Sequence, residues 1–201
     1  MRAIVVVLVA PVVFMSVAPT SATTINFAPL TQDVNLGTPF TVAITISGLN
    51  DFIAPSLGVF DVDVNFDPSI LSFGSVSYGD PILGDQLDLS GLGSVTATTL
   101  GTGFVNLFEL SLDSIGDLNG SQAGDFTLAT LSFDTLAVGA SPLSFTVKAL
   151  GDAEGNSLSA DAGTGVANVV QPVPEPALFL LTGCALAGFW ITRKSPGRTE
   201  M

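Results

Sequence analysis

Residues 58–78, GVFDVDVNFDPSILSFGSVSY, decide the fold predicted for this chain. In the first half of the stretch apolar and polar side chains alternate, and the apolar ones are Phe60, Val62, Val64 and Phe66. A period of two predicts a strand with one buried face and one face in water. Asp67-Pro68 then interrupts the strand, because proline has no backbone N–H and restricts the residue before it. A second apolar run follows, so the stretch predicts two strands joined by a corner.

The same pattern recurs along the chain. Short alternating runs are separated by Gly, Pro, Asn and Asp, and long runs of helix-forming residues are missing. This pattern predicts an all-β fold, an antiparallel β-sandwich of about nine strands. We expect one domain over residues 23–170, in which residues 113–124 form a polar loop. The expected strands are 25–27, 40–47, 60–66, 70–76, 95–100, 104–110, 126–133, 143–147 and 157–170.

Charge and composition exclude several functions. The formal net charge is −13, and Lys148 is the only basic residue between Thr23 and Val170. Such a surface repels phosphate backbones, which argues against nucleic-acid binding. The chain has no histidine, so catalysis by Ser-His-Asp or Cys-His groups and histidine-ligated zinc are excluded. Its one cysteine, Cys184, has no partner for an internal disulfide. We therefore expect a protein that is not an enzyme and has no cofactor.

The N-terminal residues 1–22 are typical of a secretory signal peptide. Arg2 provides the positive charge, an apolar stretch follows it, and small residues precede a cleavage site at Thr23. The alternative is an N-terminal membrane anchor, which the short apolar run, interrupted by Pro11, disfavours.

The C-terminal residues have a second targeting pattern. Residues 171–176, QPVPEP, form a stiff proline-rich linker, and residues 177–192, ALFLLTGCALAGFWIT, are uncharged. We predict a transmembrane helix over 177–192, followed by a basic cytoplasmic tail over 193–201 that begins with Arg193 and Lys194.

This order of proline-rich motif, apolar span and basic cluster resembles the PEP-CTERM sorting signal of Gram-negative bacteria. The resemblance implies transient insertion in the inner membrane and recognition by an exosortase-type transpeptidase. It also implies processing near Pro174, Glu175 and Pro176, and delivery to the cell surface or extracellular matrix. The alternative is a plain single-span anchor with a proline hinge.

Four motifs follow one another in the middle of the chain: Gly37-x-x-Phe40, the FDVDVNFDPSILSF segment, Gln122 to Phe126 followed by LATLSF, and Leu150 to Gly155. In type and order they resemble the motifs of the cohesin family. The resemblance implies a nine-stranded jelly-roll sandwich without catalysis, related to carbohydrate-binding modules. The family's best-known role is to hold a dockerin module in polysaccharide-degrading assemblies.

Asp61 and Asp63 are the candidate partner-binding residues. They lie on the polar face of one predicted strand, about 7 Å apart along it. A spacing near this value also suits paired catalytic carboxylates, but no other catalytic feature accompanies them. In dockerin-binding cohesins, outward-facing Asn and Asp of this strand often contact the partner. The Asp position falls on Asp61, whereas Val59 takes the Asn position.

Residue patterns in the chain suggest two further kinds of site. Residues 113–125 contain four oxygen-bearing side chains that suggest a calcium-binding loop: Asp113, Asp117, Asn119 and Asp125. Their order is not that of an EF-hand. Stacking on sugars would need exposed aromatic rings, for which the candidates are Tyr78, Phe52 and Phe108.

The sequence thus predicts an exported surface or matrix module that binds a protein partner, dockerin-like or other. The alternative is a carbohydrate-binding module that acts on extracellular polysaccharide.

Overall fold

A computed structural model describes residues 22–172 of the chain. These residues form eleven strands and one short helix. In chain order the elements are β1 (Thr24–Ala28), β2 (Thr31–Asn35), β3 (Phe40–Ser47), β4 (Leu57–Asn65), β5 (Leu71–Tyr78), β6 (Ser94–Gly101), β7 (Phe104–Ser111), α1 (Ile115–Ser121), β8 (Phe126–Thr135), β9 (Gly139–Asp152), β10 (Asp161–Ala162) and β11 (Thr164–Val170).

The strands form two sheets that pack face to face. One sheet has five strands in the order β10-β1-β3-β8-β5, and the other has six in the order β2-β11-β9-β4-β7-β6. Most neighbouring strands are antiparallel, whereas β1 with β10 and β2 with β11 are parallel pairs. The sequence-based prediction of an all-β sandwich is therefore confirmed.

Strand β4 lies in the interior of the six-stranded sheet, between β9 and β7, and its side chains alternate between the core and solvent. Phe60, Val62 and Val64 have no exposed surface and point into the core between the sheets. Their neighbours Asp61 and Asp63 point away from the core. At Asp67 the chain turns, and the Asp67 carboxylate accepts hydrogen bonds from the Ser69 N–H and hydroxyl. The corner predicted from Asp67-Pro68 thus separates β4 from β5.

Phenylalanine rings fill much of the space between the sheets. Phe133 on β8 stands edge-on to Phe66 and Phe73, with ring centroids 5.2 Å and 6.1 Å away. Phe27 of the five-stranded sheet stacks on Phe145 of the six-stranded sheet at 4.0 Å. Such aromatic pairs contribute packing energy beyond their buried area, so they hold the two sheets in one relative position.

Three details differ from the sequence-based expectations. The prediction of about nine strands was too low, because β2 and β10 are separate strands that bury few apolar side chains. The expected polar loop contains helix α1, which begins after the N-cap Ser114 and buries Leu118. The predicted strand 143–147 is part of the longer β9, and Val147 is 37% exposed next to a register shift between β4 and β9.

The targeting segments predicted at the two ends lie almost entirely outside the described residues. This holds for the signal peptide over 1–22, apart from its last residue, and for the transmembrane helix over 177–192 with the tail that follows. Within residues 22–172 we find no helix with the length and hydrophobicity of a membrane span.

Candidate functional site

The outer face of the six-stranded sheet carries the residues that the sequence singled out. We use "outer face" for the solvent side of β6, β7, β4 and β9. Strand pairing arranges its side chains in rows that cross the four strands. From the β6 edge inward, the rows are Val95, Leu110 and Val59; then Ala97, Phe108, Asp61 and Ala149; then Thr99, Asn106, Asp63 and Thr146.

Asp61 and Asp63 are joined by a side chain from the neighbouring strand β7. The Asn106 amide donates to Asp61 Oδ1 at 2.6 Å and to Asp63 Oδ1 at 2.9 Å. On the β9 side the Lys148 ammonium lies 2.7 Å from Asp63 Oδ1, and the Asp63 side chain is only 13% exposed. The two carboxylates are therefore fixed in position, as a preorganised binding surface requires.

The row next to these carboxylates is apolar. Val95 is 46% exposed and Leu110 is 38% exposed, and Val59 is half-buried beside them. Phe108 follows in the next row, directly opposite Asp61 on β4. Val95, Leu110 and Val59 thus form an apolar strip beside fixed polar groups. Protein interfaces have a similar arrangement, with an apolar core and a polar rim.

Sequence reasoning identified Asp61 and Asp63 but missed Asn106 and Lys148. Asn106 can be assigned only once the register of β7 against β4 is known, which the sequence does not give. Lys148 had a signal, since it is the only basic residue among many acidic ones in the domain and was a natural partner for one of them.

A buried carboxyl group lies beneath the outer face. Glu109 on β7 points inward and has no exposed surface. The Ser94 hydroxyl donates to Glu109 Oε1 at 2.5 Å, whereas Oε2 has no hydrogen-bond partner within the described part of the chain. Burial, together with the nearby carboxylates Asp85 and Asp88, raises the pKa of Glu109 to about 8, against the lowering effect of the Ser94 hydrogen bond. Glu109 is therefore protonated at neutral pH.

Two buried glutamines join the loops at one end of the sandwich. The Gln122 amide accepts from the Leu57 N–H at 2.6 Å and donates to the carbonyls of Leu57 and Gln86. Gln86 Oε1 in turn accepts from the Ala123 N–H at 2.9 Å. These bonds fix the start of β4 and the loop before β6, and so support one border of the outer face.

The four candidate calcium ligands are not brought together. Asp113 accepts from the Leu89 N–H, and Asp117 accepts from the Ser114 hydroxyl. Asn119 accepts from the Ser56 hydroxyl, while Asp125 accepts from the Gly48 N–H. Among residues 22–172 no group of three or more His, Cys, Asp or Glu side chains is placed to hold a metal ion. The structure gives the calcium hypothesis no support.

The three aromatic candidates for sugar stacking differ in how exposed their rings are. Tyr78 is half-buried, its ring lies 6.3 Å from Phe60, and its hydroxyl donates to the Ala97 carbonyl at 2.8 Å. Its ring is therefore engaged inside the sandwich. Phe108 is half-buried on the outer face, and Phe52 is 61% exposed in the loop before β4.

The residues predicted for sorting and processing, Pro174, Glu175, Pro176, Arg193 and Lys194, lie outside the described residues.

Comparison with known proteins identifies the fold. No family model matches the sequence, and no curated protein matches it. Solved structures do match, among them a non-cellulosomal cohesin from Archaeoglobus fulgidus. That pair has 18% identity and a TM-score of 0.56, and covers 75% of this chain and 93% of that chain.

Two further matches have similar scores. The sixth cohesin from Acetivibrio cellulolyticus scaffoldin B, solved in complex with a Cel5 dockerin, is 17% identical with a TM-score of 0.58 and covers 75% of this chain and 100% of its own. The cohesin module of a family 33 glycoside hydrolase from Clostridium perfringens is 13% identical with a TM-score of 0.55, and covers 76% of this chain and 98% of its own. The sandwich therefore has the fold of cohesin modules.

Proposed function

We propose that the protein is a non-catalytic interaction module that binds a protein partner through the outer face. The observation that carries this proposal is the bridged pair Asp61 and Asp63, held by Asn106 and Lys148 beside an apolar strip. Fixed carboxylates next to exposed aliphatic side chains offer a partner both hydrogen bonds and apolar contact.

The fold supports a protein partner. Cohesins of this fold have been solved in complex with dockerins, including the Acetivibrio cellulolyticus module described above. The partner of this chain is either a dockerin-like module or another surface protein. Val59 occupies the position where dockerin-binding cohesins often have Asn, and it lies opposite Leu110. The outer face is therefore more apolar at this position than a face with Asn would be. We therefore expect a partner that places an apolar side chain against Val59.

Polysaccharide binding is the weaker alternative. A sugar-binding platform requires an exposed aromatic ring, and Tyr78 has its hydroxyl bonded to the backbone of β6. Within the described residues Phe52 is the only aromatic side chain among the exposed large hydrophobic residues, and it lies in the loop before β4, outside the strands that form the outer face.

We further propose that the chain is exported and sorted by a PEP-CTERM signal. In this scheme residues 1–22 are removed, 23–170 form the module, 171–176 contain the processing motif, 177–192 insert in the membrane and 193–201 remain cytoplasmic. The support is the sequence pattern. An exosortase-type transpeptidase would release the module to the cell surface or matrix.

Intact mass of the protein from its native host tests the sorting proposal. We expect a mature form that begins near Thr23 and ends near Pro174, found at the surface or in the medium. A variant with Pro174, Glu175 and Pro176 replaced by Ala should accumulate uncleaved in the inner membrane. A wild-type protein that retains Met201 would contradict sorting and leave a plain anchor.

Replacing Asp61 and Asp63 together by Ala tests the binding face. Because two charge-assisted hydrogen bonds to the partner are lost, we expect partner affinity to fall by about 100-fold. The partner is recovered from the host's surface fraction and its affinity is measured by biolayer interferometry. The matched control replaces Asp134 and Asp161, exposed acids of the other sheet, and should bind normally. Equal binding by both double variants would exclude the outer face.

A further inference from the structure

Strand β6 is an open edge of the six-stranded sheet. It pairs with β7 on one side over eight residues without a register shift, and within the described chain no strand pairs with its other side. Its sequence, SVTATTLG, contains no charge and no proline, and residues 95–100 are all exposed. Edge strands of this kind offer unpaired backbone groups to another strand.

The other three sheet edges of the described residues are protected. Strand β10 has only two residues. Strand β2 has five and carries Asp33, whose carboxylate accepts from the Asn168 amide at 2.9 Å. Strand β5 has a register shift against β8 between Phe73 and Ser75. Shortness, charge and bulges are the usual means of blocking edge pairing, and β6 has none of them.

The free backbone groups of β6 follow from its hairpin with β7. Residues 102 and 103 form a two-residue turn, so Gly101 and Phe104 are a hydrogen-bonded pair, and such pairs recur at every second residue. Residues between these pairs direct their N–H and C=O groups away from β7. Thr96, Thr98 and Leu100 are therefore the residues that face the open edge.

We propose that β6 pairs antiparallel with β6 of a second copy of this chain. Charge favours this occupant, because the chain has a net charge of −13 and two copies repel each other, whereas the β6 edge carries no charge. Glu109, directly opposite Thr96 on β7, is buried and neutral at pH 7. The edge is thus a surface where two acidic copies meet without opposed carboxylates.

The sequence of β6 also pairs well with itself. In a two-fold register centred on Ala97, Thr96 lies opposite Thr98 of the second copy, and Val95 lies opposite Thr99 of the second copy. Paired residues then lie on the same face of the joined sheet, and the outward backbone groups of Thr96 meet those of Thr98. Threonine and valine pairs of this kind stabilise sheets. The dimer would place two outer faces side by side, which gives multivalent binding.

Thr96→Pro tests the proposal on the full chain in mild detergent. Proline removes an N–H that faces the open edge and leaves the bonds to β7 intact. We expect sedimentation equilibrium to give a dimer for the wild type, strengthened by added NaCl, and a dissociation constant raised at least about tenfold in the variant. Thr96→Lys keeps the backbone and adds an edge charge, and should have the same effect. Thr96→Val is the matched control and should remain dimeric.

All four proteins share the same terminal segments, so a difference among them belongs to the β6 edge. Circular dichroism melting checks that each variant is folded. A wild type that stays monomeric at high concentration and high salt would overturn the proposal. So would a dimer that Thr96→Pro and Thr96→Lys leave unchanged. The proposal does not depend on the identity of the partner at the outer face, and its failure would leave that binding function untouched.

Discussion

Replacing Gln122 by Ala is expected to destabilise the module by about 3 kcal/mol or more. The Gln122 side chain satisfies three backbone groups, the Leu57 N–H, the Leu57 C=O and the Gln86 C=O. All three lose their partner together in the variant. Each buried polar group left without a hydrogen bond costs about 1 to 3 kcal/mol. The loss should appear as a lower midpoint in urea unfolding.

Gln32→Ala is the matched control for this variant. Gln32 is half-buried on β2, and its Oε1 has no hydrogen-bond partner within the described residues. Because Gln32 Oε1 bonds to no backbone group among those residues, its removal leaves no backbone group there without a partner. We expect the free energy of unfolding to change by less than about 1 kcal/mol. If both variants unfolded at the same urea concentration, the role assigned to Gln122 would be wrong.

Replacing Glu109 by Gln is expected to stabilise the protein at high pH and to change little at low pH. The pKa of Glu109 is about 8 in the folded protein and 4.5 for the free side chain. Between these values the folded state holds a proton that the unfolded state has released. The stability of the wild type therefore falls as pH rises from 4.5 to 8. Above pH 8 this loss of stability is complete and stays constant.

The carboxamide introduced by Glu109→Gln would mimic the protonated carboxyl group, with an oxygen for the Ser94 hydroxyl and no charge to oppose Asp85 and Asp88. We expect the Tm of this variant to exceed that of the wild type by roughly 5 °C or more at pH 8.5, and the two to converge near pH 4.5. Glu154→Gln, in an exposed turn, is the control for loss of one negative charge. An equal Tm difference at both pH values would contradict the buried-proton explanation.

The sandwich was predictable from the sequence because its core strands alternate so regularly. From Val59 to Asn65 every second residue of β4 is buried, and this alternation in the sequence predicts which residues face the core. Helix α1 was missed because Gly116 and Gly120 weaken a helical pattern, although Ser114 and Asp117 have the spacing of an N-cap motif. Strand β2 was missed because Val34 is its only buried residue.

The candidate site was only half predictable. Alternation places Asp61 and Asp63 on the outer face, but their hydrogen-bond and ion-pair partners come from strands far along the chain. Asn106 and Lys148 reach them through the pairings of β7 and β9 with β4, and the β9 pairing contains a register shift. Register and bulges are set by tertiary packing, so a single sequence does not reveal which side chains meet across strands.

Site-specific photo-crosslinking in the native host tests the central claim, that the outer face binds a protein partner. A benzophenone amino acid is placed at Ala149, which is exposed and lies opposite Asp61, or at Thr41, which is exposed on the outside of the other sheet. We predict a discrete protein adduct from position 149 that is absent from position 41, with the cross-linked peptide identified by mass spectrometry. Equal labelling from both positions, or an adduct with polysaccharide alone, would contradict the account.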